Sequence, residues 1–332
     1  MAKAVTKYRY LIGLSLLNIV EPLGQGDQII EGLRITNDKT LARKFLTRDL
    51  MEALGGLESW SLLNADALIH LESEHEGDLV PEAALELLTG MLQLTGMFST
   101  ALWLVKDNAV NFELGFMEVW PPARDYRAHS NFLAMTVQKA DGSKPTTVFS
   151  RNELRQAREI FQNLIYPMSK WTAEEIRGVP GVRTGQQPVI ASHASVPRLR
   201  RAFYFLESAR SFRDMGMKIA MYCSLFETLF STDASEITHK IAHRIAVFLE
   251  HESAMRCDLY ARIKKAYGIR SKVVHGDEVK FDAKTIQGIA VDVDGIARRI
   301  FHKIGSSEEI FDQFRASKSE LDDYFLKQSF GK

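Results

Sequence analysis

The sequence predicts an α+β N-terminal region followed by an all-α helical part. Two patterns support this. Up to about residue 150, short apolar segments of strand period alternate with helical stretches, and beyond Pro197 the apolar runs repeat at helical spacing. Between them, Gly178-Val-Pro-Gly-Val-Arg-Thr-Gly-Gln-Gln-Pro188 is rich in residues that interrupt both periods. The expected division is an N-terminal domain over 1–177, a linker over 178–195 and a helical domain over 196–332.

Residues 8–20 and 27–36 are expected as strands, with a turn at Gly24-Gln-Gly26-Asp27. That Gly-x-Gly lacks the third glycine and following helix of a dinucleotide site, so it reads as a loop. Lys3, Lys7 and Arg9 before Tyr10–Val20 resemble the start of a signal peptide. No small-residue cleavage site follows, only Glu21-Pro22-Leu23, and a buried strand or helix is expected. Leu41, Phe45, Leu46, Leu50 and Leu54 set a helix over 38–53, stopped by Gly55-Gly56. Residues 60–72 read as a strand, and Pro81 opens a helix to about Leu94. Residues 101–120 again look strand-like, broken near Asp107-Asn108. Segments 132–138 and 145–149 flank Asp141-Gly142, a hairpin signal. Ser150 and Glu153 form a capping box for a helix to about Tyr166.

In the second half, helices are expected over 197–213, 215–231, 236–251 and 254–275. Gly276 suits the position after the last of these. Helices at 283–304 and 307–326 complete the set, the last opened by Ser306 and Glu309.

The composition, 45% apolar and 25% charged over 332 residues, excludes global disorder. A net charge of zero excludes a strongly basic nucleic-acid coat. Residues 1–195 carry 19 basic and 23 acidic side chains and residues 196–332 carry 23 and 19, so a polyanion would sooner meet the second half. With only Cys223 and Cys257, neither a disulfide framework nor a four-cysteine metal site can form. A reducing, cytoplasmic setting is expected. No uninterrupted apolar run reaches the roughly 18–20 residues that span a bilayer. No P-loop, Gly-x-Ser-x-Gly elbow, internal repeat or low-complexity tract occurs.

The segment most suited to chemistry is Tyr260-Ala-Arg-Ile-Lys-Lys-Ala-Tyr-Gly-Ile-Arg270-Ser-Lys-Val-Val-His275-Gly276. It gathers Arg262, Lys264, Lys265, Arg270 and Lys272 and ends in a histidine. A helix C-terminus favours a protonated imidazole, which suits acid and base work near neutrality. A histidine and an arginine can cleave RNA without a metal. The imidazole moves the proton, and the guanidinium grips the phosphate and the charge of the transition state. Five residues amount to about 140° around a regular helix, so either the helix loosens near Gly276 or the arginine reaches round. The bland alternative is a helix end carrying solvated charges.

The Arg-x4-His pair of Arg270 and His275 resembles the signature of HEPN domains, in particular the Apea-like subgroup. Leu225-Phe-Glu227-Thr-Leu-Phe230, Ile237-Thr-His-Lys-Ile-Ala-His-Arg-Ile-Ala-Val-Phe-Leu249 and Tyr267 resemble further parts of that subgroup's pattern. The resemblance covers about residues 195–305. It implies an HEPN-like helical bundle that pairs with a second copy, and a metal-independent endoribonuclease without cofactor. It also implies a role in prokaryotic defence or stress, with the N-terminal region sensing or regulating. Arg270 and His275 take the catalytic positions, with Ser271, Lys272, Arg262 and Lys265 available to RNA. Pairing has a chemical reason, because one histidine cannot be base and acid at once. Some members of the family bind or assemble rather than cleave.

Glu227 lies among large apolar residues, so its carboxylate needs a cation. Arg270 is the expected partner, with Arg244 and Arg210 as competitors. The pair either orients a catalytic arginine or is purely structural. His239 and His243 have i, i+4 spacing that can hold zinc, but no third ligand has suitable spacing and a polar face is expected. Arg198, Arg200, Arg201, Arg210 and Arg213 make one helix strongly basic, an ordinary helix surface in the first reading and a phosphate-tracking surface in the second, while Phe203, Tyr204, Phe205 and Phe212 beside them are expected in the core rather than as base-stacking platforms.

Overall fold

A computed structural model describes residues 4–122, 125–133, 136–167, 196–233 and 236–330, which fall into two compact units. The expected linker, 178–195, lies outside the described residues.

The first unit is α+β. Its main sheet has the order β3-β4-β5-β1-β6-β7 and is antiparallel throughout. The strands are β1 (Val5–Leu14), β3 (Asp27–Gln28), β4 (Arg34–Thr36), β5 (Ala67–Glu76), β6 (Leu114–Trp120) and β7 (Arg127–Phe132). The central strand β1 pairs β5 from Val5↔Glu76 to Leu14↔Ala67. Alternation along the pleat sends its side chains to two covered faces. Leu11, Leu68 and Phe116 pack on Leu41, Phe45, Leu50 and Leu62 of the helices α1 (Lys39–Phe45), α2 (Arg48–Leu54) and α3 (Gly56–Asn64). On the other face the Tyr10 hydroxyl meets the Thr95 hydroxyl of α4 (Pro81–Val105) at 3.0 Å. Gly115 lets that helix approach, since a Cβ there would lie 2.9 Å from Leu92 Cδ2. A short parallel pair joins β2 (Leu17–Ile19) to β8 (Thr147–Phe149). Helix α5 (Arg151–Ile160), opened by the expected Ser150–Glu153 capping box, continues into a π-helical turn over Phe161–Ile165.

Four sequence expectations are corrected here. Residues 56–64 are helical, so the strand expected over 60–72 starts only at Ala67. Helix α4 runs to Val105, not Leu94. Residues 98 and 101–104 are apolar on all sides, a pattern that fits a buried strand or a buried helix equally, and the helix prevails. By length and mean hydropathy α4 is also long and apolar enough to cross a membrane, although most of its apolar window is buried inside the protein. The helix over 38–53 is two helices, because Thr47 caps Leu50 and restarts the run. The turn expected at Asp141-Gly142 forms, with Gly142 at φ +82° and its amide donating to the Lys139 carbonyl at 2.9 Å, but its arms do not pair as a hairpin. Its second arm pairs with β2, and residues 138–143 belong to the second unit, where the Gln138 amide donates to the Arg210 carbonyl at 3.0 Å.

An ion pair lies under α1 and α2. Arg9 Nη1 is 3.2 Å from Glu118 Oε2, with Glu118 wholly buried and Arg9 nearly so. The Tyr126 hydroxyl donates to Glu118 at 3.1 Å, and the guanidinium lies over the Phe45 and Trp120 rings. Burial pushes the Glu118 carboxyl above its ordinary range, and Arg9 opposes that. Arg9 Nε also donates to Glu72 Oε1 at 2.8 Å, so Glu118→Ala leaves Arg9 with one carboxylate, and urea unfolding should show a loss of about 1–2 kcal/mol. Glu118→Gln keeps a hydrogen-bond acceptor and should lose less.

The second unit is helical: α6 (Arg198–Ser211), α7 (Met215–Phe230), α8 (Ile237–Leu249), α9 (Ser253–His275), α10 (Ala283–Ile304), α11 (Glu308–Gln313) and α12 (Lys318–Ser329). The helix expected over 307–326 is two, since Ser317 opens α12 with its own capping box to Glu320. Helix α7 is buried nearly all round and packs against α6, α8, α9 and α10. At its end, Phe230, Phe248, Phe314 and Phe325 form a ring cluster, edge-on at every contact except the tilted Phe230–Phe325 pair. Phe203 stacks on Phe301 in the core, whereas Tyr204, Phe205 and Phe212 are only half-buried. Arg210 is buried, so the arginines of 198–213 do not form one exposed face.

Candidate functional site

Helix α9 carries every residue expected to contact RNA. Its inner face holds Leu259, Ile263, Ala266, Tyr267 and Ile269 against the bundle. It ends in a Schellman motif: Gly276 adopts φ +76°, its amide donates to the Val273 carbonyl, and the Asp277 amide donates to the Lys272 carbonyl at 2.8 Å. The positive φ is what requires glycine there.

The helix stays α-helical through His275 and does not loosen before Gly276. Arg270 and His275 are therefore about 140° apart around the axis and about 7.5 Å apart along it. Arg270 turns inward and His275 is exposed at the helix end. Arg270 Nη2 donates to Glu227 Oε2 of α7 at 3.1 Å, with both side chains mostly buried. Arg244, one competitor, instead bonds Asp322 and the Phe230 carbonyl.

Tyr267 completes this group. Its hydroxyl donates to the Cys223 carbonyl at 3.2 Å, and the Arg270 guanidinium lies 5.8 Å from its ring centre. Burial raises the Glu227 carboxyl above its ordinary range, while Arg270 and then Tyr267 lower it. Burial also pushes the Cys223 thiol far up, so this thiol is no nucleophile. Arg270 Nε and Glu227 Oε1 are buried without a hydrogen-bond partner, so the guanidinium is held at one corner, and the arginine side chain keeps 31% of its surface exposed.

The remaining expected residues divide. Ser271 and Lys265 are exposed and Lys272 is half-buried. Arg262 is held by carboxylates of its own unit. Its Nε donates to Asp292 at 2.9 Å, its Nη2 also reaches Asp292, and its Nη1 reaches Asp258 at 3.1 Å. Those hydrogen bonds, Asp292's first, raise its already high pKa, and RNA would have to compete with them. His239 Nδ1 shares a hydrogen bond with the Tyr260 hydroxyl at 2.7 Å, and its ring stacks on His243. Among the described residues, no three potential metal ligands come together.

Phe281 was not singled out from the sequence. It is 41% exposed in the loop between α9 and α10, with Lys265 Nζ 5.5 Å and Lys272 Nζ 6.0 Å from its ring centre. The available signal was a lone aromatic in the charged segment Gly276-Asp-Glu-Val-Lys-Phe281-Asp282.

Comparisons of the chain with protein-family models, with curated proteins and with solved structures find no match. The resemblance to HEPN domains accordingly rests on the residues quoted above.

Proposed function

We propose that the chain is a metal-independent endoribonuclease of the HEPN kind, cytoplasmic and active as a homodimer through its helical unit. The observation that carries the reading is Arg270. Its guanidinium is fixed by Glu227 while the side chain stays 31% exposed, and it stands about 1.4 turns from an exposed histidine on the same helix. The 140° between them is too wide for one copy to use both on the same phosphate, which argues for a groove shared by two copies. The exposed Gly268 and Ser271 on that side of the helix would let a second backbone come close.

In such a groove one His275 takes the proton of the ribose 2′-OH, and that oxygen attacks the adjacent phosphorus. The 5′-oxygen leaves with a proton from His275 of the partner subunit. Arg270 stabilises the charge on the phosphoryl oxygens. The products are a 2′,3′-cyclic phosphate and a 5′-OH. A role in prokaryotic defence or stress, with the first unit as regulator, belongs to the same reading.

One observation favours a second reading, a non-catalytic dimerisation or nucleic-acid-binding module: the Glu227–Arg270 pair would also serve as a structural tie between α7 and α9. Incubating the protein with labelled RNA in excess EDTA separates the two. The nuclease reading expects cuts that persist in EDTA and fail at a nucleotide lacking its 2′-OH. Cleavage that stops in EDTA, or that ignores the 2′-OH, overturns it.

A further inference from the structure

Phe281 is an aromatic side chain left partly in solvent, with two ammonium groups within 6.0 Å of its ring centre. The two lysines come from one face of α9. Lys265 and Lys272 are seven residues apart, so they lie about 20° apart around the helix and two turns apart along it. His275 lies three residues beyond Lys272, about 60° further round. The loop thus brings an aromatic ring onto the exposed side of the helix that ends in His275. Asp282, the acid next to Phe281, turns its carboxylate to the Thr285 amide and hydroxyl at 2.7 and 3.2 Å as the cap of α10. Exposed Asp277 and Glu278 stand at the far end of the loop.

An exposed ring flanked by cations suits one chemistry well: a single-stranded nucleic acid, its base stacked on the ring and its phosphates on the ammonium groups. We infer that Phe281, with Lys265 and Lys272, forms a base-stacking platform that seats an unpaired nucleotide of the RNA beside His275. This deepens the nuclease reading and rests on it for the identity of the ligand.

The test measures binding apart from cleavage. The probe is a short single-stranded oligonucleotide with 2′-O-methyl riboses, titrated against the full chain by fluorescence anisotropy. Phe281→Ala should weaken binding about tenfold or more. Phe281→Trp should keep the affinity, and its fluorescence should be quenched by the oligonucleotide but not by an abasic strand of equal length. Removing each lysine should lower the salt slope of binding by about one. Equal affinity of the parent and Phe281→Ala overturns the platform, as does equal quenching by the abasic strand. So does a parent that does not bind the oligonucleotide. Cleavage of unmodified RNA in EDTA is scored separately, so a nuclease without this platform, and a platform without nuclease activity, give different results.

Discussion

Replacing His275 with alanine should slow RNA cleavage by about 10²–10⁴-fold, the usual contribution of general acid–base catalysis. The same change should lower the melting temperature only slightly. His275 is exposed at the last position of α9 beside the Gly276 cap, so what its side chain can add to stability is its interaction with the last carbonyls, about 0.3–1 kcal/mol. The combination is diagnostic, because a structural role could not remove activity while sparing stability. His275→Gln, which cannot accept and return a proton at neutral pH, should be as inactive as the alanine variant. Gel-based cleavage in EDTA and a thermal melt on the same sample check both halves.

The Arg270–Glu227 pair should behave in the opposite way, losing activity and stability together. Arg270→Ala removes the group that holds the phosphate, with an expected rate loss of about 10²–10³-fold. It also leaves the mostly buried Glu227 carboxylate without its cation. Both side chains keep some exposure, so the stability cost is smaller than for a fully buried pair, about 1–2 kcal/mol by urea unfolding. Arg270→Lys should restore most of the stability and little of the activity, since one ammonium cannot bond Glu227 and fork a phosphate at once.

Glu227→Gln adds a pH signature. Burial raises the Glu227 carboxyl, so in the folded chain it binds its proton more tightly than in the unfolded one. Its contribution to stability is then fully present below the ordinary carboxylate pKa and is lost as pH rises through the raised value. The glutamine variant, which does not titrate, should lose that segment of the stability–pH curve. An unaltered curve would show that Glu227 is not perturbed in this way.

Much of the helical half was legible in the sequence, because its apolar residues keep one period and its ends are marked. Pro197 and Gly276 stand at or beside the helix ends they suggested. The sheet half was less so. Residues 101–105 are an unbroken apolar run, and there period cannot separate strand from helix. The partner of 147–149 is β2, about 130 residues earlier, which no local turn signal announces. In the site, the buried-carboxylate argument led from Glu227 to Arg270, because an inward charge needs a neighbour. The Arg262–Asp292 link was not foreseen, since it joins two helices whose relative rotation the sequence does not reveal. Phe281 escaped for a related reason: nothing local shows that its loop folds back onto Lys265 and Lys272.

The central claim is that Arg270 and His275, turned apart on one regular helix, act together only where two copies meet. Mixing subunits tests it most directly. Arg270→Ala and His275→Ala proteins are each assayed alone on labelled RNA in EDTA, then co-refolded and assayed again, with excess His275→Ala protein titrated into the parent in parallel. The account predicts that excess inactive subunit suppresses the parent's activity as mixed dimers form, and that the two variants together cut no better than a dimer lacking one histidine and one arginine allows. Parent activity that is indifferent to the inactive subunit, when mixed dimers are shown to form, would contradict it.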